Sequence, residues 1–338
     1  MVKLVTSAAA VVVHAPARLH MGFLDLNGSF GRRFGSLGVA LRDFGTRLVI
    51  RPASKFAATG PDAERTLRCA RDICRALRAP PFAVEVLENV PAHIGLGSGT
   101  QLALAVGAGV ARLYGLRLSV RDIANLTGRG ARSGIGVAVF EQGGFVVDGG
   151  RGRFESVPPV IVRAAFPATW RFILVFDPHA QGLNGAEERA ALQRLPLFPP
   201  ATAAHLCRLV LMQMLPALME RDLPTFGRAI TELQDVIGDY FAPAQGGRFT
   251  SQRVARALAW LKRAGATAIG QSSWGPTGFG LVGDAVDAER LAAAARRALG
   301  ESRLRFVVTA ACNEGASVES SDDRATLDSA RGRAGAPS

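Results

Sequence analysis

The sequence predicts an α+β protein of two domains. Three observations predict it. The chain has 338 residues, more than one ordinary core accommodates. Apolar alternation of period 2 and apolar stripes of helical period take turns along it. Pro158, Pro159 and Pro167 cluster near the middle, where a domain boundary is expected. The domains divide as residues 1–165 and 166–315. Residues 316–338 lack apolar periodicity and are expected to be a disordered tail.

The elements follow in order. "VVVHAPARLHMGFLDLNG" and "GSLGVALRDFGTRLVIRP" alternate like two strands around a loop. The apolar start of the chain is therefore read as a first strand, not as a signal peptide. Residues 62–78 carry a helical pattern, and "FAVEVLENVP" alternates like a strand. A glycine-rich turn then opens an apolar helix in which Leu102, Val106, Val110 and Leu113 share one face. That helix meets Arg112 too soon to span a bilayer. A second helix is expected over 119–132, with "GVAVFEQGGFVVDGG" as a hairpin. In the second domain "WRFILVFDP" reads as a buried strand. Helices are expected near 203–220, 222–240 and 250–264. A strand, the turn "GQSSWGPTG", "FGLVGD", one more helix and the strand "RFVVTAA" complete it.

Hydrophobic content of 48% and charged content of 20% describe a globular chain. The net charge is +12, and only Lys3, Lys55 and Lys262 among the 40 basic residues are not arginine. Coding bias accounts for most of this. Its functional counterpart is a polyanionic ligand, because guanidinium pairs with phosphate in a planar fork. No basic run interleaves with aromatics, so neither nucleic acid nor a membrane is expected as partner. Cys69, Cys74, Cys207 and Cys312 form no CxxC pair, which argues against zinc and fits reduced thiols in cytoplasm.

The chemistry concentrates in the glycine-rich turn. Gly95, Gly97 and Gly99 let backbone amides approach an anion, and the helix start adds positive potential. Ser98 and Thr100 offer hydroxyls to oxygen or Mg²⁺, and Gln101 follows. This is not the P-loop of NTPases, because no GK[ST] follows.

"PARLHMGFLDLNG" (16–28), "PAHIGLGSGTQ" (91–101) and "GQSSWGPTGFG" (270–280) fall in sequence order. Together they resemble the three signatures of the GHMP kinase superfamily. The resemblance covers nearly the whole chain except the tail. It implies a first domain like ribosomal protein S5 domain 2 and a ferredoxin-like second domain. Two departures stand out. The family's phosphate loop usually continues with serine and alanine, where this chain has Gly99, Thr100 and Gln101. Many members place a catalytic aspartate where "RSGIGVAVFEQGG" has Gly136. These departures, with "HMGFLDLNG", "EQGGFVVDGG" and "GQSSWGPT", resemble a non-kinase branch, the β-ribofuranosylaminobenzene 5′-phosphate synthases. The resemblance implies decarboxylating transfer of phosphoribose from phosphoribosyl pyrophosphate to 4-aminobenzoate or 4-hydroxybenzoate, releasing CO₂ and pyrophosphate, in methanopterin biosynthesis. The alternative is an ATP-dependent kinase of a small alcohol.

On that reading Asp25 is the first candidate for Mg²⁺, with Thr100 beside it and Glu141 as a second carboxylate. Arg18 and His20 sit in the first motif and could reach an anion. Arg32 and Arg33, in "GSFGRRFGS", could clamp phosphate. Ser272, Ser273 and Thr277 could bind phosphate, and Trp274 could stack on the aromatic acid. "GLNGAEE" could line the cleft through Glu187 or Glu188. A symmetric homodimer is the default assembly.

Overall fold

The computed structural model describes residues 8–153, 157–182, 185–300 and 303–321. Strand β1 (Ala10–Asp25) and strand β2 (Phe34–Pro52) form a long antiparallel pair. β3 (Ala57–Thr59) and β4 (Phe82–Glu88) extend the sheet beyond β2. β5 (Phe145–Asp148) pairs with the other half of β2, and β6 (Val160–Ala164) pairs with β5. Helix α1 (Ala63–Leu77) and helix α2 (Ser98–Leu113) cover this sheet. Leu102, Val106, Val110 and Leu113 of α2 are buried against Val13, Leu48 and Ile50, as the helical spacing predicts. Burying each such side chain contributes about 1.5–3 kcal/mol.

The second sheet has the order β10–β7–β9–β8 and is antiparallel throughout. Its strands are β7 (Arg171–Phe176), β8 (Ala268–Gln271), β9 (Gly278–Val282) and β10 (Arg305–Ala310). Helices α9 (Gln252–Arg263) and α10 (Ala285–Ala298) pack on it through Val254, Leu258, Leu261 and Leu291. Helix α8 (Leu223–Gln245) joins a larger core that runs across to β1. Helix α5 (Gly185–Arg194) precedes one continuous helical run, α6 (Pro200–Leu209), a π-helical turn (Val210–Met214) and α7 (Leu215–Glu220). By length and composition that run is apolar enough to cross a membrane. Here Leu206, Leu209, Met214 and Leu218 enter the core, while Leu211, Met212 and Met219 are exposed.

Three expectations are corrected. The helix expected over 119–132 stops early: α3 spans Val120–Leu126, and Gly128 and Gly130 adopt positive φ that turns the chain into a loop. "GVAVFEQ" is not hairpin material but helix α4 (Ile135–Gln142). Residues 135–140 are all buried, so their sequence carries no polar beat that separates helix from strand. Residues 316–338 are not wholly a tail. After β10 the chain returns to the first sheet, Cys312 N donates to Ala40 O at 2.9 Å, and β11 (Ser317–Ser321) pairs with Ala10–His14 of β1. Residues 322–338 lie outside the described residues.

Candidate active site

The three motifs meet at one place. Arg18 on β1 donates from its backbone N to Leu96 O, and from Nη1 to Gly95 O at 2.5 Å. Ser272 Oγ accepts from His20 N at 3.0 Å and donates to Gly95 O at 2.7 Å. Thr277 Oγ1 donates to Ile94 O at 2.6 Å. Ser272 and Thr277, expected as phosphate ligands, are fully buried, and both hydroxyls are spent on loop carbonyls. They hold the glycine loop in shape instead of meeting a ligand.

The three loop glycines do different work. A Cβ on Gly95 would strike the backbone of Ser272 and Gly275. One on Gly97 would meet Arg18 Cγ at 2.9 Å, and both glycines have positive φ. Nearest to where a Cβ on Gly99 would lie are two guanidinium ends, Arg65 Nη2 at 2.9 Å and Arg129 Nη1 at 3.3 Å. At the start of α2, Thr100 N and Gln101 N donate to Gly97 O, at 3.0 and 3.1 Å, while the amides of Ser98 and Gly99 precede the first helical acceptor. Two arginines, one from α1 and one from the loop after α3, therefore converge on a helix N-terminus. Arg65 also reaches Ser98 Oγ at 3.4 Å. Burial, with the like charge of Arg129 adding to it and Asp62 opposing, holds Arg65 below its ordinary pKa.

Beside this cradle lies a cavity of about 220 Å³. Arg18, Arg129, Arg132, Thr100, Ser133 and Ser273 supply polar walls, and Phe23, Phe34 and Leu192 an apolar one. Arg18 is half-buried; burial pulls its pKa down to about 10, and Glu188 partly opposes that. Glu188 on α5 forms a two-pronged ion pair with Arg132, each N···O distance 2.7 Å, and so joins the second domain to the first across the cleft. Glu188 thus lines the cleft; the side chain of Glu187 lies outside the described residues. Behind the cleft, buried Asp148 accepts from Gly134 N at 2.8 Å and Gly150 N at 2.9 Å, and Ser36 Oγ donates to it. Ser36 Oγ also bonds Ser133 Oγ at 2.7 Å, which fixes the loop at the cleft wall.

His20 stands between this cleft and a second, inner cavity of about 30 Å³. It is 2% exposed, and neither ring nitrogen has a hydrogen-bond partner. β1 carries a bulge between His20 and Gly22, which changes the facing of the strand at this point. Burial, then the Arg18 cation, hold the imidazole well below its ordinary pKa of 6.5.

Several expected ligands lie elsewhere. Asp25 Oδ1 accepts from Asn27 N at 2.7 Å and Gly28 N at 3.0 Å, so it closes a turn, and it is not among the residues lining the cleft. Arg32 donates to Gly149 O and Gly150 O, and Arg33 to Leu26 O, so these guanidiniums staple loops together. Glu141 is exposed at the end of α4, where its carbonyl packs beside Gly315. Trp274 is buried against Phe241, ring centroids 4.4 Å apart, and lines the inner cavity rather than the cleft. The arginine clamp sits in "GRGARSG" (128–134), which has the same glycine-flanked pattern as the loop at 31–35.

At the position where kinases carry an aspartate, a Cβ on Gly136 would meet Thr100 Cγ2 at 3.0 Å, and Gln101 Nε2 donates to Gly136 O at 2.8 Å. The two departures from the kinase pattern are one packed unit. Residues 64–144 match the family model for the GHMP kinases N terminal domain, and residues 214–301 that for the GHMP kinases C terminal. The β-ribofuranosylphenol 5′-phosphate synthase of Archaeoglobus fulgidus is 37% identical over 66% of this chain and 75% of its own length. That of Methanothermobacter thermautotrophicus is 31% identical over 90% of this chain and 98% of its own. The chain belongs to this synthase family within the GHMP kinase superfamily. In the solved structures the β-ribofuranosylphenol 5′-phosphate synthase family fold is matched by homoserine kinase from Cytophaga hutchinsonii, with a TM-score of 0.66, 18% identity, and coverage of 94% of this chain and 100% of that one. That likeness concerns the fold alone. Membership in the synthase family marks the chain as an enzyme.

Proposed function

We propose that this enzyme is a pentosyltransferase that joins the phosphoribosyl group of phosphoribosyl pyrophosphate to the carboxyl-bearing carbon of 4-hydroxybenzoate or 4-aminobenzoate, releasing CO₂ and pyrophosphate without ATP. One observation carries the reading. The anion cradle at Gly99 adjoins a position where Thr100 and Gln101 fill the space of a kinase's carboxylate. The one carboxylate among the described cleft-lining residues, Glu188, is held by Arg132. The cleft's guanidiniums and helix amides suit a diphosphate, and the described cleft-lining residues include no free carboxylate base to deprotonate an alcohol. The phenol in the relatives' names supports 4-hydroxybenzoate as the acceptor.

In this mechanism the α2 amides, Arg65 and Arg129 bind the diphosphate and stabilise its charge as the bond to ribose C1 breaks. Arg18 and Arg132 serve the remaining anionic groups of the two substrates. Phe23, Phe34 and Leu192 offer the ring an apolar wall. The para substituent pushes electrons to the attacking carbon, and loss of CO₂ restores aromaticity.

Mg²⁺ belongs to the proposal as an ion carried on the diphosphate, whose charge it would neutralise. Among the described residues no three acidic, histidine or cysteine side chains cluster to hold a metal. The Ser98 and Thr100 hydroxyls at the start of α2 are the donors that fit an ion brought by the donor substrate. The same reading has the enzyme act in cytoplasm, in methanopterin biosynthesis, as a symmetric homodimer without nucleic-acid or membrane partners.

The test mixes pure protein, phosphoribosyl pyrophosphate, Mg²⁺ and each carboxyl-labelled acid. Release of labelled CO₂ that needs both substrates and no ATP supports the proposal. ADP formation with a phosphorylated alcohol as product overturns it in favour of a kinase.

A further inference from the structure

We infer that His20 is the proton acceptor for the para hydroxyl of a hydroxybenzoate acceptor, and so makes the enzyme competent for the phenol as distinct from the aniline. The inference rests on the proposed transfer reaction and names a residue for one step of it.

The observation is a buried imidazole without partners. The residue is 2% exposed, both ring nitrogens lack hydrogen bonds, and it forms part of the cleft wall beside Phe23, ring centroids 4.7 Å apart. Burying such polar atoms unsatisfied is costly, and a site retains the cost where a ligand supplies the missing bond. Its backbone is occupied separately, by Ser272 Oγ on the N–H and Ser273 N on the carbonyl, so the side chain has no share in holding the loop.

The chemistry distinguishes the two acids. As 4-hydroxybenzoate attacks, the C–C bond to ribose C1 forms and the C1–O bond to diphosphate breaks. The para oxygen becomes a carbonyl, and its proton passes to the imidazole. CO₂ then departs, its bonding pair restores the ring as a phenolate, and the imidazolium returns the proton. Atoms and charge balance with no further reactant. With 4-aminobenzoate the same attack leaves an iminium, far less acidic than the protonated carbonyl that the hydroxy acid would form, so it keeps its protons and collapses to neutral aniline when CO₂ departs.

The charged groups around His20 fit an acceptor that gains strength late. Arg18 shares β1 with it, Arg129 and Arg132 come from the loop after α3, Glu188 comes from α5, and Arg248 lines the inner cavity. Burial first, then the Arg18 and Arg132 cations, disfavour imidazolium. A bound donor brings several negative charges among those arginines and offsets their effect, so the imidazole is a stronger base when both substrates are present.

The experiment compares wild type with His20→Gln and His20→Asn at saturating donor, reading CO₂ from each labelled acid and confirming folding by thermal melting. The rate with 4-hydroxybenzoate should fall at least about 100-fold more than the rate with 4-aminobenzoate. In wild type an acid limb should appear in the pH profile for the hydroxy acid alone. A ratio of the two rates unchanged to within about threefold in either folded variant overturns the role of His20, since a structural histidine would affect both acids alike. Wild type that releases CO₂ from neither acid is a different result, and removes the transfer reaction itself.

Discussion

Gln101 reaches across to Gly136, 35 residues along the chain, and donates from Nε2 to its carbonyl at 2.8 Å while itself 1% exposed. The Thr100 methyl closes the same space from the preceding residue of α2. A kinase-like aspartate cannot be restored here by one substitution.

Gly136→Asp should therefore yield no kinase. Its side chain must displace Thr100 and Gln101, a crowding that costs about 1–3 kcal/mol. A lowered melting temperature with no ADP formation is the expected outcome. ADP production by the folded variant would show that the base alone separates the two activities.

Gly99→Val is the clean test of the cradle. Gly99 has no left-handed φ, and the nearest obstacles to a side chain there are the flexible ends of Arg65 and Arg129. The protein should fold while the KM for the donor rises. Arg65→Ala and Arg129→Ala should each raise it about tenfold to a hundredfold, the scale of one charged hydrogen bond. Unchanged donor affinity in all three would place the diphosphate elsewhere.

Ser272→Ala removes a fully buried hydroxyl that joins β1 to the glycine loop. It leaves His20 N and Gly95 O without that partner, a cost of about 1–3 kcal/mol each before relaxation. Stability and donor binding should both drop. Loss of binding with full stability would instead return Ser272 to the ligand.

The Arg132–Glu188 pair spans the two domains, so its energy should appear in closure of the cleft. A double-mutant cycle on Arg132→Ala and Glu188→Ala should give a coupling of about 0.5–3 kcal/mol in donor binding. Additive effects would show that the two residues act independently.

Stability should respond to pH through His20. Its folded pKa is lowered, so below pH 6.5 the unfolded chain binds a proton that the folded chain does not. Stability present above that value is then lost on acidification, by up to about 1.4 kcal/mol per pH unit. His14 is lowered in the same direction, by burial first and then by Arg47. Denaturant unfolding of wild type and His20→Gln at pH 5 and pH 7.5, about a unit and more either side of the ordinary value, isolates the share of His20. Equal pH dependence in both proteins would contradict its buried neutral state.

The sequence made the three motifs, the α2 stripe and the order of most strands legible, because periodicity and glycine turns are local signals. It also made Gly136 legible as a departure, though not that Gln101 and Thr100 fill its space. Arg129 and Arg132 escaped, while Arg32 and Arg33 drew attention. Both loops have arginines between glycines, and only tertiary packing decides which guanidiniums meet backbone carbonyls and which stay in the cleft. Asp25 misleads for a similar reason: a carboxylate beside Asn27–Gly28 suits a metal or a turn, and the two amide hydrogen bonds decide for the turn. The five residues of β11 show no core alternation because they form an edge, where one partner strand suffices.

That edge imposes an order on biosynthesis. Ala10–His14 emerge from a ribosome long before their partners Ser317–Ser321, which follow the second domain. Until then one flank of β1 is a row of open amides and carbonyls, the kind of surface that recruits strands from other chains. The first half of the protein cannot finish before the second half exists, and a nascent chain halted short of Ser317 keeps its flank open. Chaperones that bind extended backbone have their natural period of action in that interval.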